Sequence, residues 1–422
     1  MSTLKVNKLR DTAGSADAIV LDPNGGAVLA GVTTVTSVKV GAAVTISESG
    51  IEASGIGITV ANINGGAIGG RRNLVINGSM LIAQRGTSST DNGFATLDRF
   101  KVSYNGTDES PTQAQVDVSS GTTPYTEGFR KALKITNGDQ TSVGASDYIQ
   151  IDTRLEAQDI ANSGWNYTST SSFITLSFWI KSSVAQKFQC SLHSNDGTAQ
   201  AFMFETPTLV ANTWTKIKKT IPGNSNLTFA NDNGLGLLLF FFPYIGTTYT
   251  SGSNTLNAWG AAAGTSYGVT DDTSWWLEDN ATFEMTGVQL EVGSQATAFE
   301  HRSHGEETTL CQRYFQQVTG DGINVGLGFY YQSSYMQFLY RFPVEMRTTP
   351  TVDDITGTHY YVIYREGSAD TFNSVTIDNG TNNQQCLMYN NSEVTGSVGA
   401  TGIVRCNNAA PSGGQIQFNA EL

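Results

Sequence analysis

Asp271-Asp272 and Glu278-Asp279 bracket the tandem Trp275-Trp276, and acidic groups beside aromatic rings suit two kinds of carbohydrate chemistry. Hydrolysis of a glycosidic bond needs two carboxylates held about 5–9.5 Å apart across it. Binding a sugar needs less: a ring that stacks on its C–H face and polar groups that read its hydroxyls. Trp259, in a stretch rich in Gly, Ala and Asn, is a second such ring. Neighbouring strand residues point to opposite faces, so on a strand Trp275 and Trp276 cannot both be core, and one is expected to look outward or into a loop-lined pocket. The candidate glycan-binding residues are therefore Trp259, Trp275 and Trp276 with Asp271 and Asp272. Two other readings stay open. The tryptophans could cap the ends of a β-sandwich or fill a subunit interface, and adjacent aspartates often form turns or weak calcium ligands. Tyr330, Tyr331 and Tyr335 offer a further aromatic contact surface.

Other chemistries find little support. His301 and His304 are three apart, a spacing that could place two ligands on one helical face, yet no HExxH surrounds them. No GxxxxGK[ST] loop occurs. A glycan depolymerase commonly rests on a repetitive β-helix, and no period of 20–50 residues is visible. The expectation is a protein that is not an enzyme, with no catalytic residue, metal or cofactor. A net charge of −13 removes long-range attraction to phosphate backbones, so nucleic acid is not the expected partner. Cys190, Cys311, Cys386 and Cys406 lack CxxC spacing and read as free, mostly buried thiols of a reducing compartment. Residues 2–10 are polar rather than a signal-peptide core. The longest apolar run, 237–244, is broken by Pro243 and too short to cross a bilayer. Synthesis in the cytoplasm, with no membrane insertion, is expected.

The elements that must position these residues are strands. Charged residues are only 14% of the chain, glycines number 45, and neutral hydroxyl and amide side chains fill the difference. No Phe, Tyr or Trp occurs before Phe94, so the beginning of the chain lacks the bulk of a globular core. There, Val38/Val40, Val44/Ile46 and Ile56/Ile58/Val60 alternate between glycines, as short strands would. Such strands fit a thin stalk of several chains wound together; a disordered linker is the alternative.

Beyond Phe94 the texture changes. Residues 173–181 (FITLSFWIK) put Ile174, Leu176, Phe178 and Ile180 on one face. Phe188, Cys190 and Leu192 alternate with polar residues, and 235–242 is apolar on both faces, as a central strand would be. Residues 283–292 form another strand with Gly287 as a bulge. This predicts a jelly-roll β-sandwich. One helix is expected over 304–318, with Glu306 and Glu307 at its N-terminus. Its apolar face of Leu310, Cys311, Tyr314 and Phe315 packs either in its own subunit or in a three-fold bundle. Leu310, Tyr314 and Phe315 are thus the trimer-contact candidates. Strands then resume, as at 360–364 (YYVIY). The resulting fold is all-β in four parts: a stalk or attachment segment over 1–72, a jelly roll over 73–303, a linking helix over 304–318 and a second, smaller β-domain over 319–422.

Residues 72–84 (RNLVINGSMLIAQ) with Leu97-Asp98-Arg99-Phe100 resemble the opening of the carbohydrate-binding-like domain in the tail fibres of phages of marine bacteria, cyanobacteria among them. Residues 287–318 are similar to its end and the following helix, and 342–347 (FPVEMR) with Pro350-Thr351-Val352 to the start of a C-terminal knob. Residues 4–11 (LKVNKLRD) resemble the first segment of many marine phage structural proteins. The resemblance implies a homotrimer joined to another virion protein through its N-terminal segment, with distal domains meeting a host-surface glycan. The stalk is shorter than in long fibres, which leaves open a shorter appendage on tail or head. A structural decoration protein without a receptor, or a depolymerase tailspike, are the alternatives.

Overall fold

The computed structural model describes residues 71–320, 322–365, 367–407 and 414–422 in full, and within residues 1–70 only six short strands. The chain divides into two compact units, residues 1–61 and 62–422. In the first, Lys8–Leu9, Ile19–Leu21 and Ala27–Leu29 form one antiparallel three-stranded sheet. Ser37–Val40, Val44–Ser47 and Gly50–Ala53 form another, where short alternating strands were expected. The strand expected at Ile56–Val60 and the stalk role itself lie outside the described residues.

The second unit holds two β-cores. The larger is a sandwich of two six-stranded sheets. The first sheet runs, edge to edge, through Thr215–Pro222, Phe173–Ser182, Thr282–Val292, Lys131–Thr136, Thr112–Asp117 and Ser88–Ser89. The second runs through Trp259–Ala261, Gln200–Glu205, Gln189–Ser194, Leu235–Ile245, Tyr148–Glu156 and Phe100–Asn105. Every strand pairing is antiparallel. Period-two alternation sorts the core: Ile174, Leu176, Phe178 and Ile180 face Cys190, Leu192, Leu237, Leu239 and Phe241 across the gap. All four cysteines are free and buried. Gly287 occupies the expected bulge, where the pairing of Phe173–Ser182 with Thr282–Val292 slips by one residue. Its φ is +65°, and a Cβ there would stand 2.6 Å from the Phe129 ring, so only glycine fits without displacement.

The helix is shorter than the sequence predicts. It spans His304–Gln312, opened by a reciprocal capping box between Ser303 and Glu306. The next residues, Phe315–Thr319, are instead a strand paired with Gln415–Asn419. That partner lies about a hundred residues away, so tertiary pairing overrides a local pattern that also suited a helix. Tyr314 and Phe315, two of the trimer-contact candidates, are buried within their own chain. Leu310 is half-buried against Ile76, Ile82 and Cys311.

The smaller core lies between the three-stranded sheet Phe315–Thr319, Gln415–Asn419, Thr351–Asp354 and a seven-stranded sheet. That larger sheet runs Ser368–Phe372, Tyr361–Arg365, Thr401–Cys406, Asn324–Gln332, Tyr335–Arg341, Gln385–Asn390, Thr376–Ile377. A polar joint ties the two cores. Arg313 grips Glu156 with both ends of its fork, at 2.7 and 2.9 Å, while Arg99 lies 3.4 Å over the Tyr314 ring and pairs with Glu421.

Candidate functional site

The outward face of the sandwich's second sheet carries a side-chain set unlike its core face. Strand alternation turns Gln150, Asp152 and Arg154 outward from Tyr148–Glu156, Leu238, Phe240 and Phe242 from Leu235–Ile245, and Gln189, Ser191 and His193 from Gln189–Ser194. Asp152, Phe240, Ser191 and Met203 stand in one cross-strand row. Residues 246–270 then fold back over this face, so Asp152, Ser191, His193, Phe240 and Phe242 are all buried.

Between that returning segment and the sheet lies a cavity of about 250 Å³ lined by Tyr148, Gln150, Phe242, Ile245, Tyr249, Gly264 and Tyr267. Its aromatic walls meet edge to face: Tyr148 with Tyr249 at 5.5 Å, Tyr249 with Tyr267 at 6.1 Å, and Tyr267 with Phe242 at 6.0 Å. The segment is tied down by Gly246 N–H donating to Asp147, Thr248 N–H to Ala145 and Tyr267 N–H to Tyr249. Beneath, the Gln150 amide donates to Asp152 at 3.3 Å, and Arg154 Nε donates to the same carboxylate at 2.8 Å. Burial raises the Asp152 pKa, against the opposing pull of Arg154. Burial also raises those of Tyr148 and Tyr267, so both phenols stay protonated at neutral pH and can donate as well as accept. None of the lining residues is acidic. The arrangement offers ring faces, phenol hydroxyls and one amide, which suits a neutral polyhydroxylated ligand.

None of the five glycan candidates lines this cavity. Trp275 and Trp276 are both wholly buried, which corrects the expectation that one looks outward. They sit in a turn rather than on a strand, so strict alternation does not apply. Each indole N–H is satisfied inside, Trp275 by the Thr282 carbonyl at 3.0 Å and Trp276 by that of Ser142 at 2.7 Å. Trp276 also packs on Tyr244 at 4.5 Å. Trp259 begins the edge strand Trp259–Ala261, half-buried on Phe202, its indole donating to the Pro222 carbonyl at 2.7 Å. Asp272 accepts from the Ser274 N–H at 3.1 Å, a turn-forming role, and Asp271 is half-exposed beside it. His301 packs between Phe129 and Phe299 with its Nε2 2.8 Å from the Glu127 carbonyl, while His304 is exposed on the helix.

In the smaller core Tyr330 is buried and donates to Asp370 at 2.6 Å, Tyr331 is exposed, and Tyr335 stacks on Tyr389 at 5.0 Å. The outward face of the same seven-stranded sheet carries an apolar row, Tyr364, Ile403, Leu327, Leu339 and Leu387, in register across five strands.

Sequence reasoning missed Tyr148, Tyr249 and Tyr267. Two of them sit in a stretch rich in Gly, Ser, Thr and Asn, which reads as plain loop, and no local spacing signals that they converge.

No family model matches the chain, and no curated protein does. Among solved structures it is similar to a putative sugar binding protein from Bacteroides thetaiotaomicron, at 12% identity over 52% of this chain and 100% of that one, TM-score 0.30. It is also similar to the N-terminal cellulose-binding domain of Cellulomonas fimi β-1,4-glucanase C, at 13% identity over 51% and 100%, TM-score 0.25. The enzymatically active domain of tailspike protein 4 of bacteriophage CBA120 matches at 12% identity over 52% of this chain, TM-score 0.29. There the match spans 21% of the tailspike chain.

Proposed function

We propose that this protein is a non-enzymatic, glycan-binding appendage of a phage particle, displayed as a homotrimer and held to the virion by its N-terminal segment. The observation that carries the binding reading is the cavity walled by Tyr148 and Tyr249, floored by Gln150, closed on one side by Tyr267 and lacking acidic residues in its lining. Ring faces accept the apolar C–H faces of a sugar, while hydroxyls and an amide exchange hydrogen bonds with its hydroxyl groups. Such a site binds weakly alone, and repetition over three chains and several fibres supplies avidity. The virion and trimer parts rest on the order of the sequence motifs. Mass by light scattering tests the trimer, and a monomer would remove it.

The function itself is tested by probing the full chain and its Tyr148→Ala/Tyr249→Ala variant on an array of bacterial surface glycans. Retention of a defined glycan class by the parent, lost in the folded variant, is expected. A parent that binds no glycan would shift the reading to a structural decoration protein. Release of new reducing ends from a bound glycan would shift it to a depolymerase.

A further inference from the structure

We propose that Tyr267 is an internal plug: its ring fills a slot that receives one ring of a bound saccharide, and its withdrawal joins the cavity to a deeper floor formed by Ser191 and His193. This rests on the glycan-binding reading above and extends the site beneath the returning segment.

Three observations meet at this residue. The first is its seat. The Tyr267 ring stacks on the His193 imidazole at 4.5 Å and 25°, with the edge of Phe240 5.4 Å away at 82°. The slot thus holds one six-membered ring that carries a hydroxyl, and a pyranose, though a puckered chair, is of similar width and can lay its C–H face on the same imidazole. Tyr267 also forms one wall of the cavity, so it stands between the open space and what lies behind it.

The second is what lies beneath and beside it. His193 Nε2, on the ring that Tyr267 covers, and Ser191 Oγ, two residues along the same strand face, are buried, and among the described residues neither has a hydrogen-bond partner. Only 1% of Ser191 and 7% of His193 is exposed, so the bulk solvent does not satisfy them. Two unmet polar atoms two residues apart on one strand face are uncommon in a settled interior, where such groups are normally paired. They are accounted for if a ligand's hydroxyls reach them when the plug is out.

The third is the chemistry of the face. A sheet face permanently covered by its own chain is expected to be apolar, as the opposite face of these strands is. Here Gln150, Asp152 and Ser191 stand beside Leu238, Phe240 and Phe242, and this share of polar groups is in keeping with a surface that is intermittently open. Movement of the ring need not disturb the sheet. The returning segment holds Tyr267 through its own backbone bond to Tyr249, and the His193 imidazole hydrogen-bonds to the backbone of Ser266.

The test uses the full chain, its Tyr267→Ala, Tyr267→Phe and Tyr249→Ala variants, and diethyl pyrocarbonate, which modifies accessible neutral imidazoles. Peptide mapping reads His193 against exposed His304 in the same molecule. In the parent and in Tyr267→Phe, modification of His193 is expected to be at least tenfold slower than that of His304. In Tyr267→Ala it rises to a comparable rate. Gels cast with soluble xylan, mixed-linkage β-glucan or bacterial capsular polysaccharide supply the second readout. Whichever glycan retards the parent is expected to retard Tyr267→Ala several-fold more, to protect its His193, and to retard Tyr249→Ala less. If Tyr267→Ala weakens retardation as Tyr249→Ala does, the plug is overturned and the glycan-binding reading stands. If neither parent nor variants are retarded by any glycan, both fall.

Discussion

Replacing Arg313 with alanine should uncouple the two β-cores. The Glu156 side chain is 1% exposed and accepts four hydrogen bonds: two from Arg313, one from Tyr314 Oη at 2.6 Å and one from Gln158 Nε2 at 2.6 Å. Burial pushes its pKa up, but the bonds from Arg313 and Tyr314 outweigh that and hold it below the usual carboxylate range. Arg313→Ala leaves this carboxylate with two neutral donors and without its direct ion-pair partner. Removing one partner of a fully buried pair costs about 3–5 kcal/mol. Arg313 is 30% exposed, so water reaches the vacated position and the cost falls to about 2–3 kcal/mol. The loss is concentrated at the joint, so denaturant unfolding followed by tryptophan fluorescence and far-UV dichroism should split from one transition into two. Trp reports the sandwich alone, because all six tryptophans lie between positions 165 and 276. The double variant Arg313→Met/Glu156→Gln removes both charges together and should recover at least half of the loss. Coincident transitions in Arg313→Ala, with a cost below about 0.5 kcal/mol, would refute the claim that this pair couples the cores.

Gly287→Ala forces a Cβ against the Phe129 ring at positive φ and should cost about 1–3 kcal/mol in a denaturant titration; an unchanged midpoint would show that the bulge relaxes freely. Trp276→Ala should cost about 3–5 kcal/mol, because a wholly buried indole and its bond to Ser142 are lost. A stable variant with impaired glycan binding would instead return Trp276 to the list of binding residues. Burial raises the Asp98 pKa to about 6, against the opposing attraction of Arg85. Its folded value lies above its unfolded one, so its contribution to stability is full below about pH 4 and lost as the pH rises through 6. The stability difference between the parent and Asp98→Asn should therefore fall between pH 4 and 6.5. A difference that is flat across that window would contradict the shift.

Much of the fold could be read from residue order because alternation is a local signal. The 174/176/178/180 face, the inward Cys190, the doubly apolar 235–242 and the Gly287 bulge each need only a few neighbouring residues to be recognised, and each is present. What could not be read depends on distant partners. The segment after Gln312 becomes a strand only because Gln415–Asn419 waits for it. The strand rule places Trp275 and Trp276 on opposite faces, but a turn in which the Asn137 amide donates to the Trp276 carbonyl and the Trp275 N–H donates to the Gln186 side chain lets both indoles enter the core. The cavity is the extreme case. Tyr148, Tyr249 and Tyr267 come from one strand and from two points of a segment that folds back on it, so their meeting is a product of topology alone.

Binding of the fluorescently labelled full chain to intact cells of candidate bacterial hosts, before and after periodate oxidation of their surface sugars, tests the central claim most directly. The account predicts saturable binding to at least one host that periodate abolishes and that the Tyr148→Ala/Tyr249→Ala variant, folded and of the same mass, does not show. Binding that survives periodate, or that the double variant retains in full, would contradict it.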